Sequence, residues 1–163
     1  MRIGVITVLF QQYEFEEMLE KVAAAGVTAV EIGVGGYPGS HHCRVADLLA
    51  GENERAAFMR AIESRDLLLS ALSVHNNPLH PDAAVAQSAD EELRNAIRLA
   101  EMLGVPVVNT FSGLPAGAPG DRSPNWITCP WPPDFLEMLD YQWNEVAIPY
   151  WRELERFAAG HNV

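Results

Sequence analysis

The chain has 163 residues, 48% of them hydrophobic and 20% charged, which supplies one ordinary core and excludes intrinsic disorder. Eleven Lys and Arg against 22 Asp and Glu leave a formal charge of −11 at pH 7, with the basic residues scattered singly, so nucleic acid is disfavoured as a partner. No apolar run approaches the roughly 20 residues of a membrane span, and residues 1–10 are too short for a leader and lack a small-residue cleavage site.

The segment Arg2–Phe10 is nearly continuous in apolar character and rich in β-branched residues, which predicts a strand covered on both faces. Phe15, Met18, Leu19, Val22 and Ala23 then recur at helical spacing, with Glu16, Glu17, Glu20 and Lys21 opposite, and Gly26 ends that helix. A second strand over Val27–Ile32 leads through a Gly-rich loop to a helix containing Phe58, Ala61 and Ile62. A third strand, Leu67–Val74, runs into the loop from His75 to Pro81. The third helix is expected to be capped at Ser88, three residues before Glu91, with an inner stripe of Leu93, Ala96, Ile97, Ala100 and Leu103 ahead of Gly104. Val105–Phe111 reads as a fourth strand, with Pro106 tolerated near its start. After a long loop, a helix from Asp134 sets Phe135, Leu139, Trp143, Val146, Tyr150, Leu154 and Phe157 on one side, and Pro149 predicts a kink in it.

The junctions at Gly26, Asp66, Gly104 and Gly160 resemble one another, and the first three each open a strand, so the chain reads as four strand-helix units with a period of about 40 residues. It stops where the fourth junction is expected to open a fifth strand. Strict alternation means a parallel sheet with right-handed crossovers. Two closures stay open: a doubly wound sheet, or half of a (β/α)8 barrel, whose usual length is about 250 residues.

In both, ligands bind at the carboxyl ends of the strands. Those ends carry Phe10, Gln11 and Gln12; Glu31 with Gly33–Gly39; His75, Asn76, Asn77 and His80; and Asn109, Thr110, Ser112 and Gly113. Gly33-Val34-Gly35 fails the dinucleotide fingerprint, because Pro38 fills the third glycine position, and it reads instead as a close-packed turn lining a polyol pocket. Glu31 alternates with apolar Val30 and Ile32, so its carboxylate is either satisfied by a Lys or Arg or binds substrate hydroxyls. His75 can ligate a metal, transfer a proton or donate to a sugar oxygen, and its neighbours Asn76, Asn77 and His80 form a polar cluster in a proline-stiffened loop. Adjacent His41 and His42 suit no single metal, and read as a substrate rim or as solvent-exposed. The loop Leu114–Trp131, with Trp126 and Trp131, is either a surface Ω-loop or a lid that stacks on sugar. Cys43 and Cys129 stand 86 positions apart with no C-x-x-C partner, which implies unpaired thiols in a reducing, cytoplasmic setting. A Ser-His-Asp set, a nucleophile elbow and a P-loop are all missing from the sequence.

Together, Ile3–Phe10, Ala29-Val-Glu-Ile-Gly33 with Gly36-Tyr-Pro-Gly39, Ser70-Ala-Leu-Ser-Val-His75 with Asn77-Pro-Leu-His-Pro81, Arg98–Gly104 and Thr110-Phe-Ser-Gly113 resemble the xylose isomerase-like TIM barrels of the sugar phosphate isomerase/epimerase group. The resemblance covers the whole chain as the N-terminal half of such a barrel, one domain over residues 1–163 that ends before strand five. It implies a sugar, sugar phosphate or polyol isomerase or epimerase that moves protons beside a carbonyl, with a divalent metal (Mn, Mg, Co or Zn) polarising the substrate. The metal ligands and the acid and base glutamates are then expected beyond Val163, so the fragment would be inactive alone, with His75 the one weak metal candidate. By the same resemblance, Phe10, Glu31, His75, Asn77, His80, Ser112 and Trp126 supply substrate contacts. A sugar or polyol is the expected partner, without nucleic acid or membrane, and open sheet edges predict self-association of the fragment. The rival readings are an endonuclease IV-like phosphodiester hydrolase with His75 on zinc, and a metabolite-binding α/β module without turnover.

Overall fold

A computed structural model describes residues 2–125 and 127–163. The chain divides into two compact units, one of Met1–His75, Glu92–Thr110 and His161–Val163, the other of Asn76–Glu91 and Phe111–Gly160.

The first unit holds the whole sheet: β1 (Gly4–Ile6), β2 (Ala29–Gly36), β3 (Leu68–His75) and β4 (Val108–Thr110), all parallel and in the spatial order β1-β2-β3-β4. Sequential order is that of a barrel wall; a doubly wound sheet would reverse direction from its middle strand. Helix α1 (Phe15–Ala24) follows β1, and α2 (Val45–Ala50) with α3 (Glu52–Glu63) follow β2. Helix α4 (Ala83–Leu103) follows β3 and continues from the second unit into the first. The core of the first unit is built from the expected stripes. Met18, Leu19 and Val22 of α1, Ile62 of α3, and Leu93, Ala96, Ile97 and Ala100 of α4 are buried with Val30, Ile32, Leu72 and Val74 from one face of the sheet.

The second unit holds α5 (Asp134–Asp140), a π-helical segment (Tyr141–Ala147) and α6 (Ile148–Gly160). Pro149 lacks the N–H that an α-helix would direct to Glu145, and the kink expected there takes the form of this widened turn, in which Ile148 N–H reaches back five residues to Trp143 O. The inserted register breaks the predicted stripe, leaving Leu154 buried and Trp143 56% exposed.

Several boundaries differ from expectation. The strand expected over Arg2–Phe10 is only Gly4–Ile6, because Thr7–Phe10 winds into a 3-10 turn. β2 runs on through Gly33–Gly36, which composition alone assigned to a loop, and β4 shortens to three residues. Helix α4 begins well before Ser88. Its cap is Asp82, whose Oδ1 accepts from Ala84 N–H at 2.9 Å and from Val85 N–H at 3.3 Å. The four junctions do share one conformation, with positive φ at Gly26 (76°), Asp66 (56°), Gly104 (68°) and Asn162 (57°), so the fourth left-handed residue is Asn162 and not Gly160.

Candidate functional site

Strand register decides which residues share a face. Glu31 lies opposite Ile6 and Ala71, and Ser73 lies between Gly33 and Asn109, so Glu31, Ala71, Ser73 and Asn109 stand on the face opposite the apolar Val30, Ile32, Leu72 and Val74. Asn109 Nδ2 donates to Glu31 Oε2 at 2.9 Å. Since β3 runs between the two strands, this bond reaches over it, and the Ser73 hydroxyl on that strand is buried and makes no hydrogen bond. The pairing of Glu31 with Lys or Arg left open by the sequence does not occur among the described residues; its partner is a neutral amide. A half-buried carboxylate in that arrangement keeps its remaining lone pairs for hydroxyl donors. His75 follows Ser73 by two on the same strand, at its carboxyl end, and so belongs to the same face. Phe10 closes the 3-10 turn, half-buried, with its carbonyl accepting from Tyr13 N–H at 2.9 Å.

The Gly33–Gly39 segment is close-packed as expected, but only Tyr37–Gly39 form a turn, since Gly33–Gly36 end β2. A Cβ at Gly33 would stand 2.7 Å from Gly39 O, and one at Gly36, where φ is 60°, would stand 2.4 Å from His75 O. Gly35 N–H donates to Gly39 O at 3.1 Å, and Gln11 Nε2 donates to Pro38 O at 2.8 Å. Gly36 N–H donates to the Glu92 carboxylate at 3.0 Å, so the backbone donor that a nucleotide phosphate would seek already serves an acid.

His41 and His42 fasten this turn to the preceding loop, with both Nε2–H groups donating to Tyr13 O at 3.2 and 3.0 Å. His42 is only 5% exposed, which corrects the solvent-facing alternative for that residue. Burial lowers its pKa below 6.5, outweighing the carbonyl of Tyr13, which raises it; the imidazole is therefore neutral at pH 7. Cys43 beside it is buried and unpaired, as expected, and burial pushes its thiol pKa up to about 12, whereas Cys129 is exposed.

In the second unit, Asn77 spends its side chain on the backbone. Its Nδ2 donates to Leu114 O at 2.9 Å, while its Oδ1 accepts from Leu114 N–H at 2.7 Å and from Leu79 N–H at 3.2 Å. Asn77 thus clamps the loop after β3 to the loop after β4. His80 Nδ1 accepts from Asp82 N–H at 2.9 Å, which organises the α4 cap. Ser112, with Asn76, Asn77, Phe111, Gly113 and Leu114, lines a cavity of about 490 Å³. Trp151 Nε1 donates to Ser112 O at 2.8 Å. Trp126, the expected lid residue, lies outside the described residues. Sequence reasoning placed Asn109 at a strand end without a role, and Trp151 in no site at all; each is fixed by a partner far away in the chain.

The divalent metal implied by the resemblance does not fit the described residues, among which no three His, Cys, Asp or Glu side chains gather as a metal site requires.

A parallel sheet in sequential strand order, apolar on one face and bearing Glu31, Ser73 and Asn109 on the other, defines a wall of an α/β barrel. Residues 19–163 match the family described as xylose isomerase-like TIM barrel, and the chain belongs to that family. A Bacillus subtilis relative, YfiH, described as an uncharacterized protein, is 38% identical over 165 residues, covering all of this chain and 52% of the relative. A putative xylose isomerase from Rhodospirillum rubrum superposes with a TM-score of 0.66 at 17% identity, over 100% of this chain and 52% of that one. The structure of a D-psicose 3-epimerase in the presence of D-fructose gives 0.55 at 13% identity, over 100% and 50%. The chain spans about half the length of the relatives it matches.

Proposed function

We propose that this chain supplies substrate-contacting walls of a sugar or polyol isomerase or epimerase. The observation that carries the reading is Glu31, a carboxylate on the polar face of the sheet, held by Asn109 and paired with no cation among the described residues. Polyols present adjacent hydroxyls, each a donor and an acceptor. A carboxylate oriented by an amide accepts two of them, and the Ser73 hydroxyl lies on the same face. His75, at the carboxyl end of the same face, is suited to donate to a substrate oxygen. The membership of the xylose isomerase-like family and a fold neighbour described as an epimerase support proton transfer beside a carbonyl as the reaction class. In this reading a divalent metal is held by side chains outside these 163 residues, and no step is assigned here to it.

The test is an NMR titration of the 15N-labelled chain with a panel of ketoses, aldoses and polyols. Saturable shifts at Glu31, Ser73 and Asn109 are expected. Glu31→Gln, which keeps the shape but loses the charge, should weaken binding by about tenfold, the worth of one charge-assisted hydrogen bond. An unresponsive spectrum with every member of the panel, or shifts with a duplex carrying an abasic site instead, would sink the reading.

A further inference from the structure

We propose that Asn109 is a two-position latch on the polar face of the sheet, held on Glu31 in the free chain and handed to the Ser73 hydroxyl when a substrate hydroxyl takes its place on the carboxylate. The inference rests on the reading of Glu31 as a binder of polyol hydroxyls, and it adds the residue that makes this carboxylate available. Ser73 is the observation that carries it. Its side chain is fully buried, and among the described residues its Oγ has no hydrogen-bond partner. The enclosure is made by the atoms of these 163 residues, so no group outside them is needed to shut the hydroxyl away. Buried hydroxyls are almost always paired, and one left alone destabilises the state that contains it. Ser70, on the same strand, shows the ordinary solution: its Oγ donates to Val30 O at 3.0 Å.

The second partner is close by. Ser73 and Asn109 are in register on β3 and β4 with side chains on the same face, and adjacent strands stand about 4.8 Å apart. Asn109 nevertheless passes over this neighbour. Glu31 is in register with Ala71, so the 2.9 Å bond from Asn109 Nδ2 spans the whole width of β3. Ala71, and Gly33 in register with Ser73 on its other side, present no long side chain to block a swing of the amide between the two acceptors. In the first position Glu31 has a donor and Ser73 has no partner. In the second, Asn109 Nδ2 donates to Ser73 Oγ, and Glu31 Oε2 is released to accept from the ligand. Each position leaves one acceptor unserved in the free chain, and the first prevails because a carboxylate is the stronger acceptor. A polyol supplies the missing donor only in the second position, where Glu31, Asn109 and Ser73 are then all satisfied. That difference between the two positions is the differential affinity by which a ligand shifts a two-state element.

Three measurements on the 163-residue chain test this: urea unfolding, calorimetric titration with the panel of ketoses, aldoses and polyols, D-fructose among them, and the 15N side-chain amide signals of Asn109. Ser73→Ala removes the unpartnered hydroxyl, so it should raise the urea midpoint of the free chain and yet weaken binding about fivefold, the worth of one neutral hydrogen bond. Saturating the wild-type chain should move the Asn109 amide signals to a new position. Ser73→Ala should lose that position, and Ser73→Thr, which keeps a hydroxyl, should retain it. A lower urea midpoint in Ser73→Ala would mean that the hydroxyl is already paired, and it overturns the latch. Wild-type binding that leaves the Asn109 amide unmoved, or undiminished affinity in Ser73→Ala, overturns it too; in each of these cases Glu31 keeps its proposed role. Failure of the whole panel to bind the wild-type chain removes the proposed function and the latch together.

Discussion

His42 shows how a residue outside the face that carries Glu31 and Asn109 ties pH to stability. Its pKa is depressed in the fold, mainly by burial, with His41 adding repulsion, while the carbonyl of Tyr13 opposes the shift. In the unfolded chain the same imidazole titrates near its ordinary 6.5. The stabilisation is therefore complete above pH 6.5 and is lost as pH falls towards the folded value, because the unfolded state binds the proton first. The urea midpoint should fall between pH 7.5 and 5.5, and His42→Gln, which retains a donor for Tyr13 O but does not titrate, should flatten that dependence. At this scale the sequence was informative about type and position and uninformative about partners. Alternation alone put Glu31 on the face opposite Val30 and Ile32, yet its partner Asn109 lies 78 residues away, and only strand order brings the two together. Asn77 was legible as a polar residue in a stiff loop, but whether its amide would face a ligand or the backbone of Leu114 depends on where the next strand exits.

At the scale of elements, the helix exits offer a clean test of backbone conformation. A Cβ at Gly104 would meet nothing within 4 Å, so its φ of 68° is the sole objection to a side chain there. Gly104→Ala should cost about 1–2 kcal/mol, the price of the left-handed region for an L-residue, read as a lower urea midpoint with an unchanged m-value. The four exits also show where sequence reading succeeded and failed. Three were found from Gly26, Asp66 and Gly104 standing before strand-like runs, and the fourth was misplaced at Gly160 because glycine is the usual signal; the structure uses Asn162, a residue type that enters the same region more readily than most. Ser88 and Glu91 imitated a capping box in the interior of α4, while Asp82, the true cap, was hidden among loop residues. The glycines of Gly33–Gly36 read as loop because they lack β propensity, but the close approach of Gly39 O and His75 O needs positions without a Cβ.

At the scale of the whole molecule, strand order and charge are the informative quantities. Sequential order separated a barrel wall from a doubly wound sheet, a choice that alternation of strands and helices could not make. The helices follow the same economy, and among the described residues none is long and apolar enough to cross a membrane. The acidic balance has a local counterpart in the bond from Gly36 N–H to Glu92, where the chain places its own carboxylate on an amide at the end of β2. On the proposed reading, this bond would act as a filter on ligand charge. A phosphate group arriving at Gly36 meets an anion already seated there, inside the field of a protein carrying −11, whereas an uncharged sugar meets neither obstacle. Uncharged sugars should accordingly bind more tightly than their phosphorylated counterparts in calorimetric titrations, and Glu92→Gln should narrow the difference, most clearly at low ionic strength.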